Sequence, residues 1–168
     1  MNKIGVFYGS TTGTTEDLAR RIAEKLDVPS AHIYDVSKLT EALVGEYDVL
    51  VLGSSTWGAG ELQDDWYDGI KILKKCDLSH KYVALFGCGD SESYCDTFCD
   101  GMGIIYEDIK DSGCTIIGKV SAEDYSFSSS IAVIDGMFVG LALDDINESD
   151  KTEERIDAWV NDIKNHLA

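Results

Sequence analysis

The chain has 168 residues, 44% of them hydrophobic, which is enough to bury one core without covalent staples, and a single domain over residues 1–168 is expected. Thirty-one acidic side chains against 14 basic ones give a net charge of -17, which repels nucleic acid and anionic membrane surfaces and attracts basic patches on other proteins. No run approaches the roughly 18 apolar residues of a membrane helix, and Met1 leads into an apolar strand with no signal-peptide pattern, so a cytoplasmic location is expected.

Short apolar, β-rich runs alternate with amphipathic stretches, the pattern of a parallel sheet with helices on both faces. A first strand is predicted at residues 3–8, then a helix over 14–26 with an inner stripe of Leu18, Ile22, Ala23 and Leu26. A second strand at 31–35 and a short helix at 38–44 lead to a run of Val, Leu and Gly at 48–53, which reads as a central strand buried on both sides. A helix at 63–74, a fourth strand at 82–87 and a helix at 98–112 follow, although Gly101 and Gly103 weaken the last by about 1 kcal/mol each. The fifth strand begins at 115–118 and resumes at 138–142, interrupted by an insertion near 119–137, and a helix at 152–167 closes the chain.

In open parallel sheets ligands sit beyond the carboxyl ends of the strands, so the loops after strands one, three and four carry the chemistry. The first is Ser10-Thr11-Thr12-Gly13-Thr14-Thr15, a run of hydroxyls at a helix N-terminus, where outward N–H groups and the helix dipole favour an anion. It holds no Lys or Arg, and neither a Walker loop nor a G-x-G-x-x-G fingerprint is present, which points to a terminal monophosphate rather than a nucleoside triphosphate. After strand three comes Ser55-Thr56-Trp57-Gly58-Ala59-Gly60, an indole among small residues, and after strand four Cys88-Gly89-Asp90 followed by Tyr94. Two aromatics beside a phosphate cradle make a slot for a flat ring with a phosphate tail, a description that suits FMN.

At these residues the sequence resembles a long-chain flavodoxin. Residues 10–15 match that family's T/S-x-T-G-x-T phosphate loop, Thr56-Trp57 its first flavin loop, and Gly89-Asp90 with Tyr94 its second; the similarity runs from Lys3 to the last helix and includes the split fifth strand. The resemblance implies a doubly wound five-stranded parallel sheet in the order 2-1-3-4-5, of which flavodoxin is itself a type example. It also implies a monomeric FMN-binding electron carrier that is not an enzyme and that cycles through a neutral semiquinone at low potential. Trp57 and Tyr94 would flank the ring, and backbone groups around Cys88 to Asp90, Thr97 and Cys99 would meet its pyrimidine edge. Basic-surfaced partners, such as a NADP-linked flavoprotein reductase or pyruvate-oxidising enzymes, are implied as well, with Glu61, Asp64 and Asp65 as candidates for steering them. Gly58, directly after Trp57, is expected to ease a peptide rotation toward the ring.

Cys88, Cys95 and Cys99 crowd the second loop, but their spacing matches no iron-sulfur or zinc pattern, and with Cys76 and Cys114 they form an odd, scattered set expected to stay reduced. His32, His80 and His166 are scattered and carry no catalytic role. A receiver domain shares the strand order but needs acidic residues where Gly9-Ser10 and Gly53-Ser54 stand. The remaining alternative is an FMN-dependent NAD(P)H oxidoreductase acting on quinone-like substrates, which would need an open ring face for the nicotinamide.

Overall fold

The computed structural model describes residues 2–57 and 60–168. The chain runs β1 (Ile4–Gly9), α1 (Thr14–Lys25), β2 (Ile33–Asp35), α2 (Glu41–Gly45), β3 (Val49–Trp57), β4 (Glu61–Leu62), α3 (Asp65–Lys74) and β5 (Tyr82–Cys88). It continues with α4 (Asp100–Ile109), β6 (Thr115–Ile117), β7 (Val120–Ser121), β8 (Val133–Ile134), β9 (Met137–Phe138), β10 (Leu141–Leu143) and α5 (Ser149–Leu167).

The main sheet has the order β2-β1-β3-β5, with the place beyond β5 shared by two strands. β6 pairs with its first half, Tyr82 opposite Thr115, and β10 with its second, Phe86 opposite Leu141, both parallel. The 2-1-3-4-5 order with a divided fifth strand therefore stands. The short β4, which folds back antiparallel on the end of β3 with Thr56 opposite Leu62, is an addition.

Successive residues of each strand face opposite sides. Val6, Tyr8, Val49, Val51, Ala84 and Phe86 pack under α1 and α5, against Leu18, Ile22, Ile156, Trp159 and Ile163. Phe7, Leu50, Leu52, Val83 and Leu85 pack under α3 and α4, against Trp66, Ile70, Met102 and Ile105. Each such side chain removed from water stabilises the fold by about 1.5–3 kcal/mol, so the central strands are the rigid frame on which the loops at their carboxyl ends are mounted.

Three expectations need correction. The helix foreseen at 38–44 divides into a 3-10 turn, Val36–Lys38, and α2, because the Thr40 hydroxyl accepts the Leu43 N–H at 3.1 Å and starts the helix afresh. The helix foreseen from 98 begins at Asp100, since Cys99 takes a left-handed φ of 56°. The fifth strand resumes at Leu141, not at 138. Phe138 is instead drawn into an aromatic cluster, with ring centroids 4.8 Å from Tyr125, 5.3 Å from Phe127 and 5.9 Å from Phe98, and its strand β9 lies between β7 and β8 in a small antiparallel sheet. The insertion thus extends the core on the α3 and α4 side by aromatic packing that strand periodicity does not register.

Candidate functional site

The loop after β1 reaches the N-terminus of α1 through Gly13, whose φ of +97° only glycine adopts without strain; a Cβ there would meet nothing, so the requirement is conformational. The Gly13 N–H donates to Ser10 Oγ at 3.0 Å, and Gly13 makes no side-chain cap to α1. The first-turn N–H groups of α1 therefore face outward, with Thr11, Thr12, Gly13 and Thr14 exposed around them. Thr15 differs from its neighbours. It is 1% exposed, and its hydroxyl pairs with Cys88 Sγ at 3.2 Å beneath the loop.

Behind the loop stands Gln63, 2% exposed. Its Nε2 donates to Thr11 Oγ1 at 3.2 Å and to Asp65 Oδ2 at 3.1 Å, while Oε1 accepts the Asp65 N–H at 3.0 Å. Trp66, fully buried, donates Nε1–H to Gly53 O at 2.7 Å. Gly9 leaves room for both, since a Cβ at that position would lie 2.5 Å from Gln63 Oε1 and from Trp66 Cδ1.

A cleft of about 190 Å³ opens beside this loop, walled by Thr12 and Thr14, by Ser55, Thr56 and Trp57 at the end of β3, by Cys88 at the end of β5 with Gly89, Asp90 and Tyr94 after it, and by Asp145 and Ile146 after β10. None of these residues is basic. Trp57 and Tyr94, 39% and 52% exposed, are the cleft's two large aromatics. The indole is held by a hydrogen bond from Nε1 to Ser55 Oγ at 2.8 Å, and the Thr56 hydroxyl accepts the Gly101 N–H at 2.9 Å, tying the end of β3 to α4.

Of the residues singled out from sequence, Ser10, Thr11, Gly13, Thr15, Gly60, Thr97 and Cys99 lie outside the cleft wall. Ser10 and Gly13 shape the first loop. Thr97 accepts the Asp100 N–H at 3.1 Å and donates its own N–H to Tyr94 O at 3.2 Å, closing the turn that presents the tyrosine. Cys99 is fully buried, and burial pushes its thiol well up; burial likewise raises Cys88 to about 11. All five cysteines are free, and these two remain protonated at neutral pH. Gly58 and Ala59 lie outside the described residues.

The sequence reading missed the loop after β10. Asp144, with no exposed surface, accepts from Ser91 N at 3.0 Å and from the Ser91 hydroxyl, from Ile146 N at 3.2 Å, and from Asn147 N and Nδ2 at 2.9 and 3.0 Å. Burial works against its ionisation, but the hydrogen bonds from Ser91 and Asn147 outweigh it and hold the carboxyl below its ordinary pKa. Asn147 also donates to Asp90 Oδ1 at 2.7 Å, and that carboxyl is lowered by the Ser93 N–H and by Asn147. A buried carboxylate thus clamps the loop carrying Tyr94 to the loop carrying Asp145 and Ile146. A D-D-x-N turn after a strand was the signal available.

A larger cleft, about 510 Å³, lies between the insertion and α5. Its Lys119, Lys151 and Arg155 are balanced by Asp124, Glu154 and Asp162, with Arg155 seated 3.9 Å over the Tyr125 ring, so it has no net charge to draw an anion.

The architecture is the doubly wound α/β class with its cleft at the strand carboxyl ends. The family model described as Flavodoxin matches residues 6–159, and the chain belongs to the flavodoxin family. It is 44% identical to a flavodoxin of Buchnera aphidicola over 97% of this chain and 96% of that one, and 41% identical to flavodoxin 1 of Escherichia coli K12 over 97% and 93%. Among solved structures, the flavodoxin of Fusobacterium nucleatum bound to flavin mononucleotide superposes with a TM-score of 0.89 at 28% identity, covering 99% of both chains.

Proposed function

We propose that this protein is a one-electron carrier that binds a single FMN without covalent attachment, cycles it through a neutral semiquinone at low potential, and passes electrons between larger redox enzymes. The observation that carries this reading is the cleft: two aromatics stand beside a hydroxyl-rich helix N-terminus, and its wall contains no cation among the described residues. A phosphate monoester suits that end, where Thr12, Thr14 and the α1 N–H groups supply neutral donors. FMN, when bound, supplies a ring able to take up one or two electrons. Trp57 and Tyr94 would cover its faces, and Cys88 to Asp90, with Thr97 and Cys99, would meet its pyrimidine edge.

Covered faces favour electron exchange at the ring edge over hydride transfer, which requires a nicotinamide stacked on the ring. Glu61, Asp64 and Asp65 are exposed beside the Trp57 loop and would steer basic partners, a NADP-linked flavoprotein reductase and pyruvate-oxidising enzymes being the expected kinds. None of the helices described is long and apolar enough to cross a membrane, and we assign the protein to the cytoplasm as a monomer. The test is to mix FMN-loaded protein anaerobically with NADH or NADPH alone. The carrier reading expects the flavin spectrum to persist until a reductase is added; bleaching by the nicotinamide alone would replace this reading with that of an NAD(P)H oxidoreductase.

A further inference from the structure

A phosphate site without lysine or arginine depends on the direction in which each hydroxyl points its proton, because a hydroxyl is donor and acceptor at once. We propose that Gln63 is a positioning residue that sets the polarity of this cradle, by donating to Thr11 and so turning the Thr11 O–H toward the phosphate. The inference rests on the FMN reading above and goes beyond it in naming a residue outside the cleft wall.

The orientation of the Gln63 amide follows from its partners. The Asp65 backbone N–H can only donate, so the group it meets at 3.0 Å is the amide oxygen. The Asp65 carboxylate can only accept, so the group it meets at 3.1 Å is the amide nitrogen. The second N–H of that nitrogen then points at Thr11 Oγ1, 3.2 Å away. With its lone pair engaged on the buried side, Thr11 directs its own proton to the exposed side of the loop, where the cradle opens. The amide cannot turn over without setting donor against donor at Asp65 N–H. At 2% exposure it has no water to compensate, and Gly9 provides the space that keeps it in place. The main-chain N–H of Gln63 is itself bound to Ser54 Oγ at 3.3 Å, anchoring the residue to β3. The two Asp65 contacts together fix a donor toward Thr11, which a mere filler of this pocket would not need.

The test compares FMN with riboflavin, which lacks the phosphate, in titrations of apoprotein. Gln63→Met removes the donor while keeping the length of the side chain, so FMN should weaken about fivefold, the value of one ordinary hydrogen bond, and riboflavin by less than twofold. Gln63→Leu, a second apolar side chain without the donor, should reproduce this loss confined to FMN. In a Thr11→Val background, Gln63→Met should have no further phosphate-specific effect. Equal losses for FMN and riboflavin, or an FMN-specific loss that persists without the Thr11 hydroxyl, would overturn the proposal. Thermal unfolding of the apoproteins identifies a variant that has failed to fold, and the Gln63→Leu comparison then decides. Failure of the unaltered protein to bind either ligand would refute the FMN reading instead.

Discussion

Replacing Asp144 by asparagine tests how the walls of the cleft are held together. The carboxylate takes five hydrogen bonds, three on Oδ2 from Ser91 N, Ser91 Oγ and Asn147 Nδ2, and two on Oδ1 from Ile146 N and Asn147 N. An amide keeps one acceptor. With its oxygen toward Ile146 and Asn147, its NH₂ faces donors on the Ser91 side; turned over, it faces two backbone N–H groups. Either way at least two buried donors lose their acceptor, at about 1–3 kcal/mol each, and the Ser91 hydroxyl can recover part by rotating, so a net loss of about 3 kcal/mol is expected. Urea unfolding of the apoprotein at pH 7 measures it, with an unchanged m-value.

The loss should also depend on pH. The folded pKa of Asp144 lies below that of the unfolded carboxyl, about 3.9, so its contribution is complete above that value and is lost as pH falls through the folded pKa. The gap between the two proteins should hold from neutral pH to about pH 5 and narrow below about pH 4. A gap under about 0.5 kcal/mol at neutral pH, or one that acid leaves unchanged, would refute the clamp.

Thr12→Val removes a cleft-lining donor and should weaken FMN about tenfold or more while sparing riboflavin; parallel losses in both titrations would speak against a hydroxyl cradle. Tyr94→Ala should make the second reduction step less negative, because an aromatic cover and acidic surroundings disfavour a charged, reduced ring; an unchanged or more negative midpoint potential in a spectroelectrochemical titration would contradict this. Electron transfer to a basic reductase should slow as ionic strength rises above its optimum, and charge reversal at Glu61 and Asp64 should slow it further; rates indifferent to both would remove these two residues from partner steering.

The central strands and the helices over them were legible because burial on both faces imposes near-continuous apolar runs at residues 48–53 and 82–87, and helical amphipathicity marks α1 and α5. The hydroxyl loop and the Trp57 and Tyr94 loops were legible for a similar reason, since the carboxyl ends of strands confine where unusual residues can act. The insertion sheet was not, because Phe138 reads equally well as a strand residue beside Leu141 and as a member of an aromatic cluster, and only tertiary packing decides. Gln63, Asp144 and Asn147 escaped for another reason. Part of what they do is to bond segments far apart in the chain, such as Ser91 to Asp144 and Gln63 to Thr11, and the D-D-x-N turn marks only the local half of that clamp.

The most direct test of the whole account is stepwise anaerobic reduction of the FMN-loaded protein, followed by its absorbance spectrum against potential. One FMN per chain and two separated one-electron steps are expected, with a blue neutral radical accumulating between them. Direct bleaching in a single two-electron step, or a chain that retains no FMN, would contradict it.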